Sequence, residues 1–369
     1  MEALTCQPLP GLLASLLLIL FLVLFLPFKS HKIERNLEPF FLVMGLIGIA
    51  TNYYFGVTHY EELMEVFRKA VITPVSISGT PIGITQVVLI FGLIFYYYYK
   101  QIYRFINILI DKLGFYMFAF IFTLLFGLIS SIISVIVTAV IISEIAAALK
   151  LERKYKIEFV VLSAFAVGLG AALTPVGEPL STIAISRLNE SFDYLLRILG
   201  PYVIPGIIMI AAYTAYRLKK SGATVYGVEA VYGESLRSVI IRAVKVYIFV
   251  AALELLGHSF TYLAYCYFSR LHPWALYWLN TISAVVDNAT LTAAEINKAL
   301  TEEQIRSALM SLLISGGMLI PGNIPNIVAA GRLKITSKEW ARVGVPFGIA
   351  LLLLYFIIIE VLGIHISIY

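Results

Sequence analysis

The sequence predicts an all-α polytopic membrane protein made of inverted-topology repeats, with two re-entrant hairpins and two discontinuous transmembrane helices. Three observations carry that expectation. Hydrophobic residues fill 60% of the 369 positions against 13% charged, and the mean hydropathy of +0.91 lies far outside the range of a soluble domain. The basic residues behind the formal charge of +5 sit in short loops between apolar runs, a pattern that orients a chain in a bilayer rather than one that binds nucleic acid. A set of helix breakers also recurs 146 residues on, Gly170, Pro175 and Pro179 falling on Gly316, Pro321 and Pro325.

The spans follow from run length and flanking charge, since about 20 apolar residues cross the hydrocarbon core. Residues 11–28 form the first. Only Glu2 precedes it, while Lys29, Lys32 and Arg35 follow, the reverse of a secretory signal. A retained anchor in the cell membrane with its N-terminus outside is therefore expected. Spans at 38–56 and 71–98 follow, joined by a loop holding Glu61, Glu62 and Glu65, and residues 1–69 read as N-terminal scaffold helices. The loops before and after 114–149 are both basic, so that segment must return to the side it left, as a hairpin. Spans at 159–187 and 199–216 complete a first repeat over 70–218, and residues 219–236 form a cytoplasmic loop carrying Lys219 and Lys220. The second repeat, 237–369, begins with a span at 238–257. A hairpin over 259–300, entered from the opposite side, precedes spans at 307–333 and 344–362.

The stretch "GAALTPVGEPLSTIAISRL" (170–188) explains why a membrane helix would carry its own breakers. Proline lacks the N–H and clashes with the preceding turn, so Pro175 and Pro179, with Gly177 between them, unwind the helix over about 174–179. The partner stretch "LIPGNIPNI" (319–327) does the same with Pro321, Gly322 and Pro325. Each freed backbone group costs several kcal/mol in lipid, so an interruption persists only where protein, water or an ion satisfies it. Carbonyls at the end of one half-helix suit a cation, and N–H groups at the start of the other suit an anion. A plain proline kink is the alternative.

A charge at the bilayer centre costs about 2.5–3.5 kcal/mol on insertion scales and needs a reason. Asp287, followed by Asn288 and Thr290, is the only ionisable residue from Pro273 to Ala294 and falls at the tip of the second hairpin. An N-cap for the returning arm is its alternative role. Glu178 lies in the first interruption beside Thr174, Ser181 and Thr182; pairing with Arg187 or exposure to a vestibule are its alternatives. Asn323 and Asn326 take the polar part in the second interruption, and Thr138 can offer a hydroxyl at the first hairpin tip. Glu144 and Glu295 align between "ISVIVTAVIISEI" (133–145) and "ISAVVDNATLTAAEI" (282–296), each close enough to its hairpin end to read as interfacial. Cys6 and Cys266 lack ligand or redox spacing and read as packing residues. The five histidines fall near span ends, so no metal centre is expected. No phosphate cradle, nucleophile elbow or coupled Ser/His/Asp set is visible, which argues against an enzyme.

On "LTPVGEPLST", "VVDNATLTAAE" and "PGNIPNI" the chain resembles the ion transporter superfamily, which includes NhaD-type sodium/proton antiporters, arsenite permeases and divalent-anion/sodium symporters. It looks most like an uncharacterised prokaryotic cation transporter family within it. The resemblance covers roughly residues 70–362. It implies sodium or proton sites where hairpin tips meet helix interruptions, movement of that unit across the membrane, and a homodimer like that of the symporters. Ile136-Val137-Thr138 departs from the Ser-Asn-Thr of the symporters, and Glu178 stands where antiporters carry Asp.

The expected activity is secondary active exchange of Na+ for H+. Asp287 and Glu178 would be the competing carboxylates that hold sodium, helped by Asn288, Thr290, Thr174, Asn323, Asn326, Ser181, Thr138 and backbone carbonyls. No cofactor is expected, the partners being small inorganic ions and the bilayer, with no nucleic acid. Ion-coupled movement of an anion or metalloid, such as arsenite or a dicarboxylate, is the alternative.

Overall fold

The computed structural model describes residues 9–34, 36–76, 83–133, 135–225, 235–267, 273–285, 288–296, 298, 300–364 and 366–367. Every regular element among them is helical. The order is α1 Pro10–Lys29, α2 His31–Glu34, α3 Leu37–Tyr54, α4 Tyr60–Ile72, α5 Ile84–Leu113, α6 Phe115–Ile133, α7 Val135–Ala148, α8 Arg153–Ala171 and α9 Pro179–Leu188. There follow α10 Tyr194–Lys220, α11 Leu236–Cys266, α12 Pro273–Leu279 with a 3-10 turn Asn280–Ala284, α13 Asn288–Glu295, α14 Glu302–Gly316, a 3-10 turn Ile320–Gly322, α15 Ile324–Leu333 and α16 Ser337–Phe356, which runs on as the π turn Ile357–Val361. Four helical stretches, Pro10–Pro27, Phe115–Ile133, Tyr194–Lys220 and Ser337–Val361, are long and apolar enough to cross a membrane. With the composition, this makes the chain a membrane protein.

The core is built on α8 and α14. Every residue from 157 to 173 and from 305 to 323 is buried. A helix apolar on all sides has no preferred solvent face and goes to the middle of the bundle. That is also the one place at membrane depth where interrupted backbone is tolerated. Around these two, α6 and α10 cover α8, and α12 and α16 cover α14. The long α11 packs along α3, α4 and α5.

Both interruptions expected from the prolines are present. α8 stops at Ala171 and α9 starts at Pro179; α14 stops at Gly316 and α15 starts at Ile324. The restart is nearly identical in the two places. Glu178 (φ −154°, ψ 160°) precedes α9 and Asn323 (φ −154°, ψ 152°) precedes α15, and both helices are 10 residues long. They end on Asn189 (φ 58°) and Lys334 (φ 51°), the non-glycine residues of positive φ among those described. A left-handed C-cap normally calls for glycine, so its recurrence on two other residue types points to a shared backbone template.

Several boundaries differ from the sequence reading. Residues 71 and 72 end α4, an amphipathic helix whose Val66 and Ala70 pack on Ile49 and Leu255, and α5 begins only at Ile84. Residues 259–266, expected to open the second hairpin, continue α11 because no breaker separates them from it. Cys266 is disulfide-bonded, which corrects the packing role expected of it; its partner lies outside the described residues.

Candidate functional site

Each interruption packs against the helical segment that precedes it in the chain. In the first half, the Val135 N–H donates to the Gly177 carbonyl at 2.8 Å, and the Thr174 hydroxyl donates to the Ser131 carbonyl. Ser181 donates to the Ala172 carbonyl at 3.1 Å and Thr182 to that of Pro175 at 2.7 Å. These hydroxyls satisfy carbonyls that the missing turn leaves open. Pro179 sits at the first position of α9, where a helix needs no N–H, so it starts the new helix as much as it ends the old one. Gly177 has no room for a side chain, since a Cβ there would run into the Ala171 backbone.

The second interruption is packed the same way. The Asn326 carboxamide, fully buried, donates from Nδ2 to the Gly316 carbonyl at 2.8 Å and to the Leu319 carbonyl at 2.7 Å. Asn323 Oδ1 accepts from the Ile324 N–H at 2.8 Å. A Cβ on Gly322 would lie 2.5 Å from the Gly316 oxygen, 2.8 Å from the Ser283 oxygen and 2.9 Å from Ala284 Cα. The turn Asn280–Ala284 and the interruption are therefore in backbone contact. Asn288 is buried, with Nδ2 3.4 Å from where a Gly316 Cβ would stand.

The second interruption packs on α8. A Cβ on Gly168 would lie 2.9 Å from Asn323 Nδ2, and one turn earlier the Phe165 ring packs over Gly317. Trp340, on α16, closes the far side by donating from Nε1 to the Gly317 carbonyl at 3.1 Å. The return arms cross as well, α7 packing on α15 and α13 on α9.

Of the sequence-predicted residues, Glu178, Ser181, Thr138, Asn288, Asn323 and Asn326 are buried and Thr174 is half-buried. Glu178 is 4% exposed and makes no capping bond to α9, while Arg187 is exposed at the other end of that helix. Asp287 lies outside the described residues, as does the side chain of Thr290, so the second carboxylate and its distance from Glu178 are not part of this geometry.

At the second interruption the chemistry is that of an oxygen ligand. Because Asn326 Nδ2 serves two carbonyls, its Oδ1 is oriented as an acceptor, and this atom is buried without a hydrogen-bond partner among the described residues. An unpaired buried acceptor costs about 1–3 kcal/mol. A hydrogen-bond donor or a cation would satisfy such an oxygen.

The sequence reading of Glu144 and Glu295 as interfacial is corrected, since both are buried. Glu144 Oε1 meets Arg242 NH1 at 2.7 Å and Oε2 meets Arg332 Nε at 2.9 Å, joining α7 to α11 and α15. Arg242 was not foreseen, because its partner stands nearly 100 residues earlier and no local spacing links them. A second tie runs along the basic end of the bundle, where Arg153 makes a two-pronged pair with Glu339 at 2.7 and 2.8 Å and donates to the Lys334 carbonyl at 2.8 Å. It clamps the start of α8 to the left-handed cap of α15.

A family model described as "Protein of unknown function (DUF1646)" matches residues 13–362. No curated protein matches the chain.

Proposed function

The chain belongs to the DUF1646 family, and we propose that it is a secondary active transporter exchanging Na+ for H+ by alternating access in a cell membrane, its N-terminus outside. In this reading residues 70–218 and 237–369 are inverted-topology repeats of the ion transporter superfamily type. The segments 115–148 and 273–295 act as hairpins entering from opposite faces. The matched restarts at Glu178 and Asn323 and the crossing of each return arm onto the other half's short helix support the repeat.

The observation that carries the cation site is Asn326 Oδ1, a buried oxygen without a partner among the described residues, in an interruption that touches α8 at Gly168. Glu178 supplies a carboxylate from the first interruption and Asp287 a second from the hairpin tip. Thr174, Thr138, Ser181, Asn288, Thr290 and Asn323 line the approach. A carboxylate that ligates sodium when ionised and is neutral when protonated lets one ion displace the other, which is the minimum that exchange requires.

The test is flux in proteoliposomes loaded with a pH-sensitive dye. An outward sodium gradient should acidify the lumen, and Asp287→Asn and Glu178→Gln should each abolish the response. Flux that is unchanged in both variants overturns the assignment of those carboxylates. Uptake of arsenite or succinate in place of sodium would overturn the choice of cargo.

A further inference from the structure

Val23 and Pro27 of α1 and Phe41 of α3 share a narrow crevice with Leu319 and Pro321 of the second interruption, beside Ser337 of α16. The empty space there is about 260 Å³, short of the roughly 300–1,000 Å³ that a whole small molecule occupies. Ser337 is the one polar residue among the described residues that line it. A buried water needs about two to four polar partners, so these walls suit a hydrocarbon chain better than water or an ion.

One end of the crevice lies at the basic end of the bundle. Pro27 stands two residues before the end of α1, Phe41 four after the start of α3, and Ser337 is the first residue of α16. Lys29 and Lys32 follow Pro27 in the chain, and Lys334 and Lys338 stand on either side of Ser337, all four exposed. Glu38 and Glu339, on the same helices as Phe41 and Ser337, are engaged by Lys245 and Arg153. The opposite side of α1 carries Leu18, Phe21 and Phe25, which are exposed and in a membrane protein meet lipid, whereas Val23 and Pro27 are buried. The crevice therefore lies just behind a lipid-facing helix.

Basic residues alone would only orient the chain in the bilayer. An apolar cleft that opens among them matches both parts of an anionic phospholipid, with the phosphate going to the cations and one chain to the cleft.

We propose that this crevice binds an anionic phospholipid from the leaflet on the basic side. One acyl chain lies between α1, α3 and the second interruption, and Lys29 and Lys32 hold the phosphate. The chain packs on Leu319 and Pro321, so the lipid supports the second interruption against the N-terminal helices. The site is independent of which ion the protein moves.

Native mass spectrometry of the full chain in detergent, titrated with phosphatidylglycerol, phosphatidylcholine or the chain-free headgroup glycerophosphoglycerol, reads its occupancy. One phosphatidylglycerol should be retained, at least about tenfold more tightly than phosphatidylcholine. Lys29→Gln combined with Lys32→Gln, both at exposed positions, should weaken retention about thirtyfold, at about fivefold per charge. Val23→Trp, which fills the crevice and leaves the lysines in place, should abolish retention, and Val23→Ala, which widens it, should not. Undiminished retention in a Val23→Trp protein that is folded by circular dichroism overturns the proposal. If that variant does not fold, undiminished retention in the lysine variant overturns it instead. Phosphatidylcholine held as tightly as phosphatidylglycerol also overturns it, as does headgroup that competes as well as the intact lipid, since that result describes a phosphate site without a chain.

Discussion

Removing the carboxylate of Glu144 while keeping its shape, in Glu144→Gln, tests whether the two halves are pinned together as described. The residue is fully buried between Arg242 and Arg332, which are 7% and 9% exposed, at 2.7 and 2.9 Å. At these separations and an effective dielectric of about 20 each pair gains about 6 kcal/mol of Coulomb energy, most of it offset by desolvation of the ions. Breaking the cluster removes from two buried guanidiniums the carboxylate that joins them, and losses of this kind run to about 3–5 kcal/mol. Because the cluster ties α7 to α11 and α15, the loss should appear as global destabilisation. Equilibrium unfolding in mixed micelles, followed by circular dichroism, measures it. The triple variant Glu144→Leu, Arg242→Met and Arg332→Met should recover at least half, since an apolar cluster carries no ion to desolvate. Glu144→Gln within about 0.5 kcal/mol of the parent, the range of an ordinary surface change, would refute the reasoning and mean that water reaches the cluster.

Four further outcomes concern the interruptions and the helix that follows the second. Gly322→Ala must move backbone, since its new carbon would stand 2.5 Å from the Gly316 oxygen; it should cost about 1–3 kcal/mol in the same unfolding assay and weaken sodium binding. Gly331→Ala on α15 meets nothing within 4 Å, so it should be neutral or stabilising by up to about 1 kcal/mol. Asn326→Leu removes both its donated bonds and the unpaired oxygen, so sodium binding measured with radiolabelled ion should fall below detection, while Asn326→Asp, which keeps an oxygen there, should retain part of it. Sodium at about 100 times its dissociation constant should stabilise the parent by about 2.7 kcal/mol, and Glu178→Gln should erase that increment.

The membrane class and the two interruptions were legible in the chain; the reason for the interruptions was only partly so. Proline pairs four residues apart do not by themselves break a helix, since Pro201 and Pro205 stand four apart within the unbroken α10. At 175–179 and 321–325 the difference is the glycine between the prolines, packed where no Cβ fits, together with polar groups that take up the freed carbonyls: the Val135 N–H, Ser181 and Thr182 in the first, Asn326 in the second. None of these contacts has a helical or strand period. The same holds for Glu144, whose burial depends on arginines from two other helices, and for the bond that Asn280 donates to Glu295, fifteen residues on across a turn. The length of α11 was hidden because residues 258–266 combine histidine, serine and tyrosine with apolar residues and contain no breaker. The offset was legible as well: the prolines align 146 residues apart, while Ala184, Arg187 and Leu188 fall on Ala329, Arg332 and Leu333 at 145, the spacing that the helix restarts and left-handed caps keep.

Competition between sodium and protons for the purified protein tests the central claim most directly. Equilibrium binding of radiolabelled sodium across a pH series should give one saturable site whose dissociation constant rises about tenfold per pH unit on the acid side, as one proton displaces one ion. Sodium binding that is absent at every pH, or that does not change with pH, would contradict the account.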